Sequence, residues 1–523
     1  MVNTGLLVLT NPSKISKLLP AIKKHVLKTL YIQYFPKHNI ILSSAYSPPA
    51  TNFKGPQYSQ VVANIYALAT KYSTNLDVRV LLTSLKQPNV SITRTKKPIE
   101  LVIFDKICSS SDANTFMQDC ISNMSMGCTF ITLDEKCNEE DTNDSNVNNS
   151  QDNNIYQSVV LGGTFDRLHN GHKILLSEAI LRSSHKVTVG VTDLNMNQRK
   201  LLWEIIQPCD IRINLLREFV EDIDSDLNYD IVPISDIYGP TKSDPTFEMI
   251  VVSEETQRGG HIINEERIKN KLNPLKIYVV KLMEDPTNKE HEETKVSSSN
   301  HRMRLLGTRL KKPVVDNKPL KPYIVGLTGG IASGKSSVAA KLQKLGAGLV
   351  NCDLVAHSLY EPGMKCYKLI VDTFGSNYVN EDGQINRKAL GTLVFNNKAE
   401  LEKLNQLLWP VILDETMKKV EDLHKGGHDV IVIEAAVLIQ AGWQNICHEI
   451  WTCIIPKKEA IKRLMDRNKL SEEEAEKRIL VQPSNVEQVH NAHVILSTLW
   501  SHEFTESQVQ KGWSEIMKDL SRA

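Results

Sequence analysis

Two short runs in this 523-residue chain gather residue types that handle phosphate. The first is Gly162-Gly163-Thr164-Phe165-Asp166-Arg167-Leu168-His169-Asn170-Gly171-His172. Glycines at 162 and 163 let the backbone approach an anion with no Cβ in the way. His169 and His172 flank Asn170-Gly171 where a helical pattern opens, so free N–H groups, the helix dipole and two imidazoles converge. Attack on an α-phosphorus builds charge on its non-bridging oxygens, and such donors stabilise it. Neither a carboxylate nucleophile nor a protein-built metal cage is needed, since Mg2+ can arrive with ATP. The chemistry implied is nucleotidyl transfer, with His169 and His172 catalytic and Gly162, Gly163 and Thr164 beside the nucleotide.

The second run is Gly329-Gly330-Ile331-Ala332-Ser333-Gly334-Lys335-Ser336-Ser337, which contains a complete G-x4-G-K-S pattern. In this pattern backbone N–H groups cradle phosphates, Lys335 reaches the β and γ oxygens, and Ser336 holds Mg2+. It specifies a phosphate site but no substrate. Two ATP sites of different type on one chain suggest two consecutive steps on one substrate.

Both runs follow strand-like stretches, Ser158–Leu161 and Tyr323–Leu327, and lead into helical patterns over Gly171–Leu181 and Ser337–Leu345. Further strands are expected at Leu6–Thr10, Val78–Leu82, Leu101–Phe104, Phe130–Leu133, Val187–Val191, Ile231–Ile234, Met249–Val252, Ile277–Val280, Val430–Ile433 and Ile450–Ile455. Strands alternating with helices predict an α/β chain: a Rossmann-like nucleotidyltransferase domain, then a P-loop kinase domain, preceded by an N-terminal α/β domain. Ser471-Glu472-Glu473-Glu474 reads as a capping box opening a helix toward Leu480. The expected organisation is 1–136 for the N-terminal domain of unknown role, 137–154 a disordered polar linker, 155–310 the transferase, 311–321 a proline-bearing linker, and 322–523 the kinase. No internal repeat is visible in the sequence. The polar linker implies that 1–136 is a separable regulatory or targeting appendage.

The net charge of +1, with 24% charged residues, gives no global reason to expect nucleic acid or a membrane surface as partner. Nine scattered cysteines form no CxxC pair, which fits a reducing compartment. No apolar run approaches the roughly 18 residues of a membrane span. The stretch before Asp77 holds no acid, and Lys14, Lys17, Lys23, Lys24 and Lys28 lie where a helix is plausible. Transit peptides are Arg-rich and this stretch has no Arg, so a cytoplasmic protein is expected, with mitochondrial association as the alternative.

The motif His169-Asn170-Gly171-His172 resembles the signature of the T/HxGH nucleotidyltransferase superfamily. Val296-Ser297-Ser298-Ser299-Asn300-His301-Arg302 is similar to the ISSTxxR loop of one branch, and together they resemble phosphopantetheine adenylyltransferases. The resemblance implies that Ser297, Ser298, Ser299 and Arg302 contact the nucleotide. Lys200 would meet the phosphate of the incoming substrate, and Val251–Thr256 would lie near the nucleotide. Cytidylyltransferases open on a similar motif but carry an RTEGIST-like second loop, not this one.

Leu327–Ser336 is similar to the LTGGIGSGKS start of the dephospho-CoA kinases. That resemblance makes Asp353 the candidate base for a ribose 3′-hydroxyl, with a helix N-cap as its structural alternative. It also makes Arg387, in Asp382–Leu390, a contact to the acceptor. Arg463 and Arg467 would belong to a lid over the transferring phosphate, a solvated helix face being the alternative. The chain departs from the family at Trp409-Pro410, at His493 and at Glu434-Ala435-Ala436-Val437-Leu438, where His-Pro, an acid and a PLLFE-like run are usual. The two units together resemble the animal-type bifunctional coenzyme A synthases. This implies ATP, 4′-phosphopantetheine and dephospho-CoA as ligands, CoA as product, and Mg2+ entering with ATP. The alternatives are a cytidylyltransferase fused to another P-loop kinase, or a nucleotide-binding scaffold with inactive sites.

Overall fold

The computed structural model describes residues 1–36, 55–73, 75–86, 92–134 and 153–522, with the side chains of 395 and 396 left aside. Most of the expected polar linker, 137–152, lies outside the described residues. These form two compact units, Met1–His301 and Arg302–Ala523.

The first unit contains two five-stranded parallel sheets. One is built from β1 (Val2–Leu9), β2 (Val26–Tyr34), β3 (Asp77–Val80), β4 (Ile99–Phe104) and β5 (Met124–Thr132), in the order β3-β2-β1-β4-β5. The other uses β6 (Tyr156–Gly163), β7 (Ser183–Thr192), β8 (Asn228–Ile234), β9 (Met249–Ser253) and β10 (Lys276–Val280), in the order β10-β9-β6-β7-β8. Counted from its own first strand, each sheet runs 3-2-1-4-5. A repeat invisible in the residues is therefore present in the topology. Strand β2 escaped the sequence reading because Lys28 interrupts its apolar pattern. The helix expected across the lysines ends at Ile22, before β2 begins.

In such sheets the strand order reverses beside the first strand, and ligands bind at the carboxyl ends there. In the second sheet that place holds the Gly162–His172 loop and, after β9, Ser253-Glu254. In the first sheet it is filled from within. Asp105, 1% exposed, accepts from the backbone N–H of Thr10 (2.7 Å) and Asn11 (2.9 Å) and from the Thr10 hydroxyl (2.9 Å).

Residues 1–136 are not a loose appendage. One apolar core runs through Leu7, Ile32, Val62, Tyr66 and Val80 into Val159, Leu176, Leu181, Phe219 and Ile223. Arg79 pairs with Asp222 at 2.5 Å, and Lys86 with Asp224 at 2.7 Å. Both carboxylates are buried on the Cys209–Ile223 helix and the residue after it. The Tyr31 hydroxyl donates to Asp222 at 2.6 Å. Deleting 1–136 would expose this core and strip both carboxylates of their cations, which argues against clean separability.

The second unit carries β11 (Tyr323–Gly329), β12 (Gly348–Asn351), β13 (Val430–Glu434), β14 (Glu449–Ile454) and β15 (Val494–Ser497), in the order β12-β13-β11-β14-β15. The central strand β11 is buried along its length and delivers the second phosphate motif to the carboxyl edge. Residues 311–321 dock on this sheet: Val314 N–H donates to the His448 carbonyl at 2.9 Å, and the Lys318 ammonium to the Cys447 carbonyl at 2.6 Å. The capping box at Ser471 forms as expected, with Glu474 returning the bond.

Candidate functional site

The loop after β6 turns sharply, with Phe165 and Arg167 both at φ 49°. Left-handed backbone at two non-glycine residues stores strain of a kind that collects at functional loops. Its geometry is held by buried polar contacts. Asp166 pairs with Arg167 at 2.9 Å and accepts from Gln207 N–H at 3.0 Å, while the Arg212 guanidinium donates to the Thr164 carbonyl at 2.6 Å.

His169 is the N-cap of the Asn170–Leu181 helix, and its Nδ1 accepts from the His172 N–H at 3.3 Å. His172 Nδ1 faces the His169 N–H at 3.5 Å, so the two imidazoles form a reciprocal cap. Their rings stack with centroids 3.7 Å apart. A Cβ at Gly171 would lie 3.2 Å from the His169 ring, so any larger residue there requires the ring to shift.

Packing of its ring pushes the His172 pKa well below the ordinary imidazole value, and His301 and Lys200 add to the depression. His172 keeps an accessible edge. The lowered pKa favours the neutral imidazole, and with Nδ1 facing the His169 N–H the proton falls to Nε2, which can then donate.

The serine run is placed beside this pair. Ser298 Oγ donates to the Asp166 carbonyl at 2.9 Å and lies 3.4 Å from His169 Nε2. Ser297 Oγ accepts from Asn300 N–H at 3.1 Å, and Ser299 falls in the first turn of the Ser298–Leu305 helix. Arg302 is buried one turn further along that helix. Gly162 and Gly163 end β6, Thr164 is buried beside Asn197, and Lys200 stands exposed just past the Leu194–Asn197 turn. After β9, Glu254 accepts from Leu282 N–H at 2.9 Å, and Glu255 pairs with Lys295.

In the second unit Gly330–Gly334 forms the turn between β11 and the Lys335–Lys344 helix. Gly334 has φ 84°, and a Cβ there would lie 2.7 Å from the Thr498 side chain. Ala332 adopts φ 60° without a glycine's freedom. Lys335 folds back onto its own loop, donating to the Gly329 carbonyl at 2.8 Å and the Gly330 carbonyl at 3.0 Å. Burial lowers its pKa, and Cys453, Glu434 and Asp353 oppose that. Ile331 N–H, expected to cradle phosphate, donates to Gln482 Oε1 at 2.7 Å. Ser333 packs inward from the same turn, and Ser337 continues the helix.

Glu434 was legible only as a departure from a family pattern. The structure makes it a hub. Its carboxylate, 6% exposed at the end of β13, accepts from Ser336 Oγ at 2.7 Å and from Asn351 Nδ2 at 2.9 Å. Register explains this, since β13 lies beside β11 with Glu434 opposite Leu327.

Asp353 sits exposed in the first turn of the Cys352–Leu359 helix. The cap of that helix is Asn351, which accepts from Leu354 N–H at 3.1 Å. The capping alternative for Asp353 is thereby removed.

Arg463 is neither a solvated face nor a free lid group. It donates to the Thr498 carbonyl (2.6 Å), the Thr498 hydroxyl (2.8 Å) and the Ala332 carbonyl (3.2 Å), while Thr498 Oγ1 donates to the Ser333 carbonyl at 2.9 Å. It braces the phosphate loop. Arg467 bonds Asn468 at 3.0 Å, and its charge acts on Lys335. Arg387 lies over the Tyr360 ring at 5.4 Å. His493 serves the sheet, accepting from Ile450 N–H at 3.0 Å.

The two units thus present a nucleotidyltransferase-type site and a P-loop kinase site. Residues 160–304 match the cytidylyltransferase-like family, and residues 323–500 match the dephospho-CoA kinase family. The chain is 42% identical over 186 residues to a dephospho-CoA kinase of Carboxydothermus hydrogenoformans, covering 36% of this chain and 90% of that one. It is 38% identical over 200 residues to that of Moorella thermoacetica, covering 38% and 94%. A solved dephospho-CoA kinase from Campylobacter jejuni is 28% identical, covers 38% of this chain and 98% of its own, and superposes with a TM-score of 0.30. Through its C-terminal domain the chain belongs to the dephospho-CoA kinase family. Among the described residues no helix is long and apolar enough to cross a membrane.

Proposed function

We propose that the chain is a bifunctional coenzyme A synthase of the animal type, catalysing two consecutive ATP-dependent steps. In the first, a phosphate oxygen of 4′-phosphopantetheine attacks the α-phosphorus of ATP, the bond to the β-phosphate breaks, and pyrophosphate leaves with dephospho-CoA as the other product. A phosphate nucleophile brings its own negative charge, so no base is required. His172 Nε2–H donates to a non-bridging oxygen as charge builds there, and His169 holds the first helical turn open toward it. The carrying observation is the stacked His169–His172 pair at the helix N-terminus with Ser298 against it.

In the second step the ribose 3′-oxygen of dephospho-CoA attacks the γ-phosphorus of a second ATP, giving CoA and ADP. Asp353 takes the hydroxyl proton, and Lys335 leaves its own loop carbonyls for the β and γ oxygens. Arg387 and Arg467 supply cations for the acceptor and the transferring phosphoryl group. Ser336 Oγ and Glu434 form an all-oxygen pair that suits Mg2+. Such an ion would neutralise charge between the β- and γ-phosphates. The cytoplasm, with mitochondrial association as the alternative, is the proposed setting.

Mass spectrometry of products from 4′-phosphopantetheine with ATP, or with CTP instead, tests the reading. ATP should give dephospho-CoA and then CoA. Turnover with CTP alone would favour a cytidylyltransferase, and no product with either would favour an inactive scaffold.

Asp353→Asn separates base from bystander. With Asn351 as the cap, the helix keeps its N-terminus, so only chemistry should change. Phosphorylation of supplied dephospho-CoA should fall roughly 10²-fold in kcat with ATP affinity little altered. Turnover retained within a few-fold would remove Asp353 from the reaction.

A further inference from the structure

We propose that the Ser59–Tyr72 helix of the N-terminal domain is a positioning element of the adenylyl-transfer site, acting through Asn170. The inference rests on the adenylyl-transfer reading above. Asn170 stands between the two catalytic histidines and is the first residue of their helix. Successive residues of an α-helix point about 100° apart, so its side chain leaves the histidine face. It reaches the N-terminal domain, where its Nδ2 donates to Thr70 Oγ1 at 2.8 Å and to the Tyr66 carbonyl at 3.3 Å. Thr70 Oγ1 in turn donates to that same carbonyl at 3.0 Å, which fixes the hydroxyl as an acceptor for Asn170.

A second anchor follows one residue after the motif. Lys173, 4% exposed, donates to Asp77 Oδ1 at 2.6 Å and to the Val78 carbonyl at 2.8 Å. Asp77 is held by Arg79 at 2.8 Å. The far end of the same helix is tied as well: Ser59 Oγ donates to Glu178 at 2.8 Å, and Arg182 donates to Ser59 Oγ at 3.0 Å. The segment carrying both imidazoles is therefore fixed by side-chain and backbone groups more than 90 residues away in sequence. A rotation of its first turn would move both donors off the developing charge, and misplacement of about 1 Å can cost 10² in rate. Thr70 and Asn170 touch no reacting atom; they are positioning residues.

A double-mutant cycle in the full chain tests this, using Thr70→Val, Asn170→Ala and the pair together. Adenylyl transfer and phosphorylation of supplied dephospho-CoA are measured on the same samples. Each single variant should lower adenylyl-transfer kcat roughly tenfold with the KM for ATP within about twofold. The double variant should fall no further, Thr70→Ser should restore kcat to within about twofold, and the kinase step should not change. Single variants at wild-type kcat, or effects that multiply in the double variant, overturn the proposal. A parallel loss of both activities with a lowered melting temperature also overturns it, because the contacts then serve stability alone. A wild-type chain that makes no dephospho-CoA removes the adenylyl-transfer reading itself, whereas normal wild-type turnover with unaffected variants removes only the positioning role.

Discussion

Lys335→Ala is expected to stop the chain at dephospho-CoA. Lys335 opens the Lys335–Lys344 helix, half-buried and bonded to the Gly329 and Gly330 carbonyls, and the histidine pair lies in the other compact unit. A fixed donor on charge developing in a water-poor site is worth about 2.7–4 kcal/mol, roughly 10²–10³ in rate. A formal charge on the γ-phosphoryl group should reach at least the upper end. With ATP and 4′-phosphopantetheine supplied, dephospho-CoA should accumulate at the wild-type initial rate while CoA formation is lost. CoA made at a near-normal rate would show that Gly329–Ser336 is not the phosphoryl-transfer site. The variant also leaves the Gly329 and Gly330 carbonyls without their ammonium donor, and a thermal melt checks that the fold persists.

His172→Ala should give the complementary defect. The substitution removes the Nε2–H donor and one half of the reciprocal cap, leaving the His169 N–H without its ring acceptor. Loss of a single preorganised donor predicts a fall of about 10²–10³ in adenylyl transfer. Loss of one cap bond adds about 1 kcal/mol of local destabilisation. Supplied dephospho-CoA should still be phosphorylated normally, because Arg302–Ala523 contains every group assigned to that step. Adenylyl transfer within twofold of wild type would take His172 out of the mechanism. His172→Gln tests the neutral-donor assignment, since a side-chain amide can also donate without charge, and it should recover part of the rate that alanine loses.

Both phosphate loops were legible in the residues because their function resides in backbone shape. Glycines, a lysine and helix starts at fixed offsets leave few alternatives, and the strands on either side alternate as expected. What escaped was non-local. Glu434 reaches Ser336 across adjacent strands, 98 positions apart in sequence, and no local spacing announces it. Gln482 and Thr498 come to the phosphate loop from beyond the Lys457–Asn468 helix in the same way. Asp353 was read as a possible cap because Asp caps well, yet Asn351 precedes it and has the geometry. The sequence is least informative about how residues 1–136 pack. A polar segment after Leu133 says nothing about the faces on either side of it, and the ion pairs at Asp222 and Asp224 join residues that look unremarkable alone. A signal was available: Asp77 and Arg79 fall within two residues of each other on an otherwise apolar strand, a charge pattern that strands buried on both faces rarely carry without partners.

The Asp105 carboxylate bears on what the first sheet can still be. A nucleotide site keeps donors unpaid until its ligand arrives, which makes it locally soft and lets ligand binding stiffen it. Here the side chain immediately past the end of β4, beside β1, is a permanent occupant, engaging Thr10 and Asn11 as a tethered anion that cannot diffuse away. The first sheet is thus always in the condition that its sister reaches only when loaded. Its order therefore does not depend on a ligand, and through the shared apolar core it offers the second sheet a wall of constant shape.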